Sequence, residues 1–244
     1  MSNTEQITAY SLYNKQAKER TKINPLAGVY PDLPNKKYQI IYADPPWDYG
    51  GKMQYDKSVI KNENIGFEKE IFLSSASFKY PTVKLNQLKE LKVQNITADD
   101  CILFMWTTGP QMANSIELAE AWGFEYKTVA FVWDKMVHNP GRYTLSQTEF
   151  VLAFKHGRFP QPRGARNVRQ MITVPRKEHS QKPLEVIAGI TQMFPEQSKI
   201  ELFARNNYTG WDNWGLEVPN SKVDIFSQFE MEQKKDELQI KLAL

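Results

Sequence analysis

Short apolar runs of strand length alternate with stretches of helical spacing along this chain. That alternation restricts the fold more than any other feature. The runs at 38–43 (YQIIYA), 101–106 (CILFMW), 128–133 (TVAFVW), 149–154 (EFVLAF), 171–174 (MITV) and 199–204 (KIELFA) read as buried strands. Helices are expected at about 83–93, with Leu85, Leu88 and Leu91 at helical spacing, and at 112–122, closed by Gly123. A third should open at Pro183 and run to about 194, turning Leu184, Ile187 and Ile190 inward. Strands interleaved with helices predict an α/β fold on a mainly parallel, doubly wound sheet.

The first strand ends at Asp44-Pro45-Pro46-Trp47. Adjacent prolines forbid a central strand, so the chain must turn there. In open α/β sheets ligands bind beyond the carboxyl ends of strands, which makes this tetrad a candidate site. Asp44 offers an acceptor, Pro45 a carbonyl expected to face outward, and Trp47 a flat π face. Together they suit a planar aromatic amine, both of whose amine hydrogens can be accepted while its ring is stacked. Adenine N6 is a poor nucleophile because its lone pair is delocalised. Acceptors on its N–H groups favour a pyramidal nitrogen and stabilise positive charge as a methyl group arrives. The plain alternative is a proline-rich turn beside a buried tryptophan.

Composition narrows the classes. The 244 residues carry one cysteine, Cys101, which excludes a disulfide framework and any cluster built on several thiolates. A single thiol suits a reducing cytoplasm, the expected location. His138, His156 and His179 lie far apart in sequence and form no metal-binding spacing, so no metal is expected. No apolar run reaches the roughly 18–20 residues of a membrane span, and residues 1–20 lack the apolar core of a secretory signal. The net charge of +3 implies little by itself, and its distribution matters more. Residues 155–177 carry Lys155, Arg158, Arg163, Arg166, Arg169, Arg176 and Lys177 with no acidic residue. Proline and glycine make this an exposed loop, expected beside the site, where arginines such as Arg163 and Arg166 suit phosphate contacts.

The tetrad and its surroundings resemble the MT-A70 family, S-adenosylmethionine-dependent adenine-N6 methyltransferases with the catalytic motif DPPW. The resemblance runs through IIYADPPWDY, Tyr80-Pro81-Thr82, ILFMWTTG (102–109), WGFEYKTVAFVWDK (122–135) and TEFVLAFKHG (148–157). It continues in the family's order through HSQKPLEVI (179–187), KIELFAR (199–205) and GWDNWG (210–215), covering about residues 38–218. It implies a Rossmann-like methyltransferase fold in permuted order, the catalytic tetrad preceding the cofactor segment. On that resemblance Asp44, Pro45, Pro46 and Trp47 handle the adenine. Lys182 and Arg205 match positions that hold the cofactor, Asn207 a neighbouring one, and Glu217 a polar position for the ribose. Tyr80 falls where the family presents a loop aromatic to its substrate. Apart from the resemblance, Lys182 lies at a helix mouth, where positive potential favours a carboxylate. Its plain alternative is a solvated lysine, and that of Arg205 an ion pair at a strand end.

The expected organisation is a polar N-terminal extension (1–37), a methyltransferase domain (38–218) and a charged tail (219–244) with helical spacing. The expected activity is methylation of adenine N6 in DNA, in a monomer or a homodimer. The alternatives are the same reaction on RNA, and a catalytically silent subunit that binds nucleic acid. Asp44 argues against the last, because silent relatives lose the acid of the tetrad.

Overall fold

The structure, a computed structural model, describes residues 26, 30–48, 82–139, 143–176, 181–216 and 218–227. Its strands are β1 (Tyr38–Ala43), β2 (Thr97–Thr107), β3 (Glu125–Asn139), β4 (Ser146–His156), β5 (Met171–Thr173), β6 (Lys199–Leu202) and β7 (Asp212–Trp214). They form one seven-stranded sheet in the order β5-β3-β4-β2-β1-β6-β7. Helices α1 (Leu85–Glu90), α2 (Met112–Ala121) and α3 (Leu184–Met193) cover it. β1 pairs in parallel with β2 and β6, β6 with β7, and β3 with β5. β4 alone is antiparallel, to both β2 and β3. The exception follows from the connection. Only six residues lie between Asn139 of β3 and Ser146 of β4, too few for the roughly dozen that a parallel crossover needs.

Residues alternate between the two faces along each strand, and each face is covered by its own helices. Ile41, Leu103, Met105 and Leu152 pack toward Leu88 of α1 and Leu118 of α2. Ile40, Ile102, Phe104 and Val151 pack toward Ile187 and Ile190 of α3. The sheet is therefore doubly wound. The helix after β1 lies on one face and the helix before β6 on the other. The crevice between the carboxyl ends of β1 and β6 is thus a topological switch point, the usual ligand position in such sheets.

Several boundaries differ from expectation for local reasons. α1 stops at Glu90, and Leu91 is extended (φ −65°, ψ 120°), so Val93 and Ile96 are buried from a 3₁₀ turn instead. β2 begins four residues early, in the polar stretch Thr97-Ala98-Asp99-Asp100, which masks it in the sequence. Pro183 caps α3 in an extended conformation rather than occupying its first turn. β6 ends at Leu202 because Phe203 takes a left-handed backbone (φ 61°). β7 is three residues long, too short for a periodic signal. Residues flanking the expected domain also pack on it. Tyr30 stacks on Trp214 at 4.8 Å, and Val223 N–H bonds the Asn207 carbonyl at 2.7 Å.

Candidate active site

Asp44 follows the last residue of β1, and its N–H reaches the Leu202 carbonyl of β6 at 3.4 Å. The tetrad turns at once. Trp47 N–H donates to the Pro45 carbonyl at 2.8 Å, and Val83 N–H to the Pro46 carbonyl at 2.8 Å. The Pro45 carbonyl, expected to face outward, instead accepts an amide of its own turn. Trp47 is 6% exposed and packs with the α1–α2 face of the core. Its ring is a wall of the turn, and its indole Nε1 is buried without a hydrogen-bond partner.

The Asp44 carboxylate meets Lys182, which stands at the mouth of α3. Lys182 Nζ lies 3.1 Å from Asp44 Oδ1 and 3.2 Å from Glu149 Oε2. The other oxygen of Glu149 binds Lys135 Nζ at 3.2 Å, and the Lys135 side chain is almost fully buried. Four alternating charges thus run from the end of β1 into β3 and β4. Burial opposes the charge of Lys182, but Asp44 and Glu149 together hold its pKa above the ordinary lysine value. Burial likewise opposes ionised Glu149. Lys182 and Lys135 overcome that and hold its pKa below the usual carboxylate value. Lys182 is an ion-paired member of the site, not a solvated lysine. Its ammonium also lies 5.0 Å from the centre of the Trp106 ring, whose Nε1 donates to the Tyr42 hydroxyl.

A cavity of about 350 Å³ opens beside this cluster. Asp44, Lys182, Glu201, Arg205, Asn206 and Tyr208 contribute to its lining. Glu201 lies opposite Tyr42 in the β1–β6 register, and its Oε2 is buried without a partner. Burial first, then the nearby Asp44 charge, push its pKa up to about 8, against the pull of Arg205. Among the described residues no three His, Cys, Asp or Glu gather into a metal-binding group. Cys101 is buried, and burial raises its thiol pKa strongly.

The expected site residues are only partly brought together. Asp44, Lys182 and Arg205 share the cavity. Asn207 does not line it: its Nδ2 donates to the Pro219 carbonyl at 3.1 Å, and its Oδ1 accepts from Asn213 at 2.9 Å. Its neighbour Asn206 takes the lining position. Tyr80 and Glu217 fall outside the described residues. Glu149, Lys135 and Glu201 were missed. Each had one signal, a charged residue in or beside a run otherwise apolar enough for a buried strand, where a charge needs a partner.

The placement of Arg163 and Arg166 is corrected. β4 runs antiparallel, from Glu149 at the site to His156 beside Cys101 at the opposite end of the sheet. The loop after it starts there. Gly164 N–H bonds the Met193 carbonyl at 2.9 Å and Ala165 N–H the Gln192 carbonyl at 2.8 Å, at the far end of α3. A Cβ on Gly164 would stand 2.3 Å from the Gln192 oxygen, so only glycine permits this approach. The Arg163 guanidinium lies over Phe194 at 5.6 Å. The length of α3, about 15 Å, separates it from Lys182. The chain returns along β3 through β5 to Arg176, whose N–H bonds the Lys135 carbonyl at 3.1 Å.

The model of the MT-A70 family matches residues 38–217. This chain belongs to the MT-A70 family. Its relatives include the type II methyltransferase M.MunI of a Mycoplasma species, 72% identical over 94% of this chain and 98% of that protein. The N(6)-adenine-specific methyltransferase METTL4 of Mus musculus is 27% identical over 75% of this chain and 38% of that protein. The catalytic subunit METTL3 of the human N(6)-adenosine-methyltransferase is 24% identical over 79% of this chain and 31% of that protein. The mostly parallel sheet, with Asp44 at its switch point, is the MT-A70 methyltransferase domain.

Proposed function

We propose that this MT-A70 protein transfers a methyl group from S-adenosylmethionine to N6 of adenine in DNA. The observation that carries this is the Asp44 carboxylate, fixed by Lys182 at the mouth of a cavity on the β1–β6 switch point. The cavity is of small-molecule size. Lys182, Arg205 and the amino end of α3 suit a carboxylate, while the unpartnered oxygen of Glu201 suits an amine or hydroxyl donor. These residues fit S-adenosylmethionine, which when bound supplies an electrophilic methyl group.

Asp44 accepts an N–H of the exocyclic amine and opposes the positive charge that develops on N6. Lys182 holds that carboxylate in one orientation, so little reorganisation accompanies the reaction. Glu149 and Lys135 in turn fix Lys182. DNA is favoured because the near-full-length match is to a type II methyltransferase. The relative named for adenosine methylation in humans shares only about a quarter of its residues, and this chain covers under a third of its length. A buried Cys101 as the single thiol fits a reducing cytoplasm.

The test is methyl transfer from labelled cofactor to DNA and RNA oligonucleotides, followed by nucleoside mass spectrometry. N6-methyladenine in DNA is expected. Its appearance in RNA alone would keep the chemistry and change the polymer. Its absence from both would remove the reading.

A further inference from the structure

β3 and β4 do not end at the site. The last pair of β2 with β4 is Thr107 with Phe150, whereas β3 and β4 continue to the pair Asn139 with Ser146. The two strands therefore form an arm beyond the sheet, at the end where Asp44 lies. The arm is irregular. From Asp134–Thr148 to Asn139–Ser146 β3 advances further than β4, so the register shifts there. Met136 takes the left-handed backbone (φ 56°), a conformation a residue of its size seldom adopts. Asp134 holds it there, accepting from Met136 N–H at 2.9 Å and from Gln147 Nε2 at 2.6 Å.

The arm's side chains are unusual for a surface. Tyr143 is 92% exposed and Leu145 65%, with Met136 and Val137 also largely exposed. Four large apolar side chains exposed along one arm mark a candidate interaction surface. Lys135, one residue before Met136, points the other way into the Glu149–Lys182–Asp44 cluster, so the root of the arm is fused to the site. The sequence from Lys135 to Thr148 contains no acidic residue and includes His138 and Arg142. Exposed Arg176 is bonded through its backbone to Lys135. Exposed apolar side chains on a segment without acidic residues from Lys135 to Thr148 suit a polyanion with a stacked apolar interior.

Resting on the DNA-adenine reading, we propose that this arm is the wedge that opens the duplex. Met136, Val137, Tyr143 and Leu145 enter the base stack at the place the target adenine leaves. The need is geometric. N6 of a paired adenine lies inside the stack, and the Asp44 side chain, 19% exposed, sits within the protein. The base must come out to meet it. Apolar side chains inserted at a base step are the common means of unstacking it.

The experiment compares the wild-type chain with Tyr143→Ala/Leu145→Ala and, separately, with Met136→Gly, which suits the left-handed backbone. Each acts on a duplex that the wild type methylates and on the same duplex with an abasic site opposite the target adenine. On the intact duplex kcat/KM should fall about tenfold or more, while on the pre-opened duplex it should stay within about twofold. 2-Aminopurine at the target position should brighten with wild type and not with the variants. Equal losses on both duplexes, or none on either, would overturn the wedge. Equal losses accompanied by a shift from dimer to monomer in sedimentation would assign the surface to a second copy of the chain. A wild type that methylates neither duplex would remove the DNA reading itself, and the wedge with it.

Discussion

Lys182 binds Asp44 at 3.1 Å and thereby ties the mouth of α3 to the end of β1, across the switch point of the sheet. The contact joins the residue expected to hold the cofactor to the one expected to hold the substrate amine. In the proposed reaction Lys182 would serve both sides, by its charge toward the cavity and by its grip on the carboxylate.

Asp44→Asn keeps the shape and an acceptor oxygen but removes the charge. Turnover should fall about 100–1,000-fold, the usual cost of losing one group that stabilises developing charge. Cofactor affinity should change far less, because Lys182 keeps its second partner, Glu149. Single-turnover methylation with calorimetry of cofactor binding checks both, and near-normal turnover would remove Asp44 from the chemistry.

Glu149→Gln should cost more stability than activity alone explains. Glu149 separates two lysines, one almost fully buried. Removing its charge leaves Lys135 uncompensated, a loss of about 3–5 kcal/mol where a buried pair is broken. Lys135→Met/Glu149→Met should recover part of that loss, since no charge is then left unpaired at that position. Urea unfolding of the two variants decides the point.

The strand–helix alternation and the proline stop made the sheet and Asp44 legible in the sequence. Buried strands declare themselves by composition, and two prolines can end one only at a turn. The partners of Asp44 were less legible. Glu149 and Lys135 face each other only because β4 reverses direction, a pairing no local pattern encodes. The same reversal sends Arg163 to the far end of α3 although its sequence lies close to β4. Asn207 was expected near the cofactor on the family resemblance alone. Its amide instead bonds the Pro219 carbonyl and Asn213, long-range partners that spacing does not reveal.

Glu201 should make stability depend on pH above the usual carboxylate range. Its folded pKa of about 8 lies above the ordinary value of 4.5, so between those pH values the folded state holds a proton that the unfolded state has lost. This contribution is complete below pH ~4.5, falls as pH rises, and levels off above pH ~8, at most about 1.4 kcal/mol per pH unit. Glu201→Gln keeps the neutral form at every pH and should flatten that slope. Thermal unfolding across the range measures it. A slope that persists unchanged in the variant would show that Glu201 is ionised in the fold.

The arginines at the two ends of α3 should behave differently toward DNA. Arg176 is exposed and tied by its N–H to Lys135, at the end of the sheet that holds Asp44. Arg163 lies over Phe194 at the opposite end, its Nε buried. A phosphate contact contributes about 0.9 to the slope of log affinity against log salt. Arg176→Ala should therefore lower that slope by about one unit and weaken binding to all sequences alike. Arg163→Ala should leave the slope unchanged and act on stability, because it removes a cation stacked on an aromatic face, worth about 0.5–2 kcal/mol. Filter binding across a salt series and chemical unfolding of both variants give the two readouts. The reverse pattern, a slope lowered by Arg163→Ala and untouched by Arg176→Ala, would place the phosphate contact at the far end of the sheet and not beside Asp44.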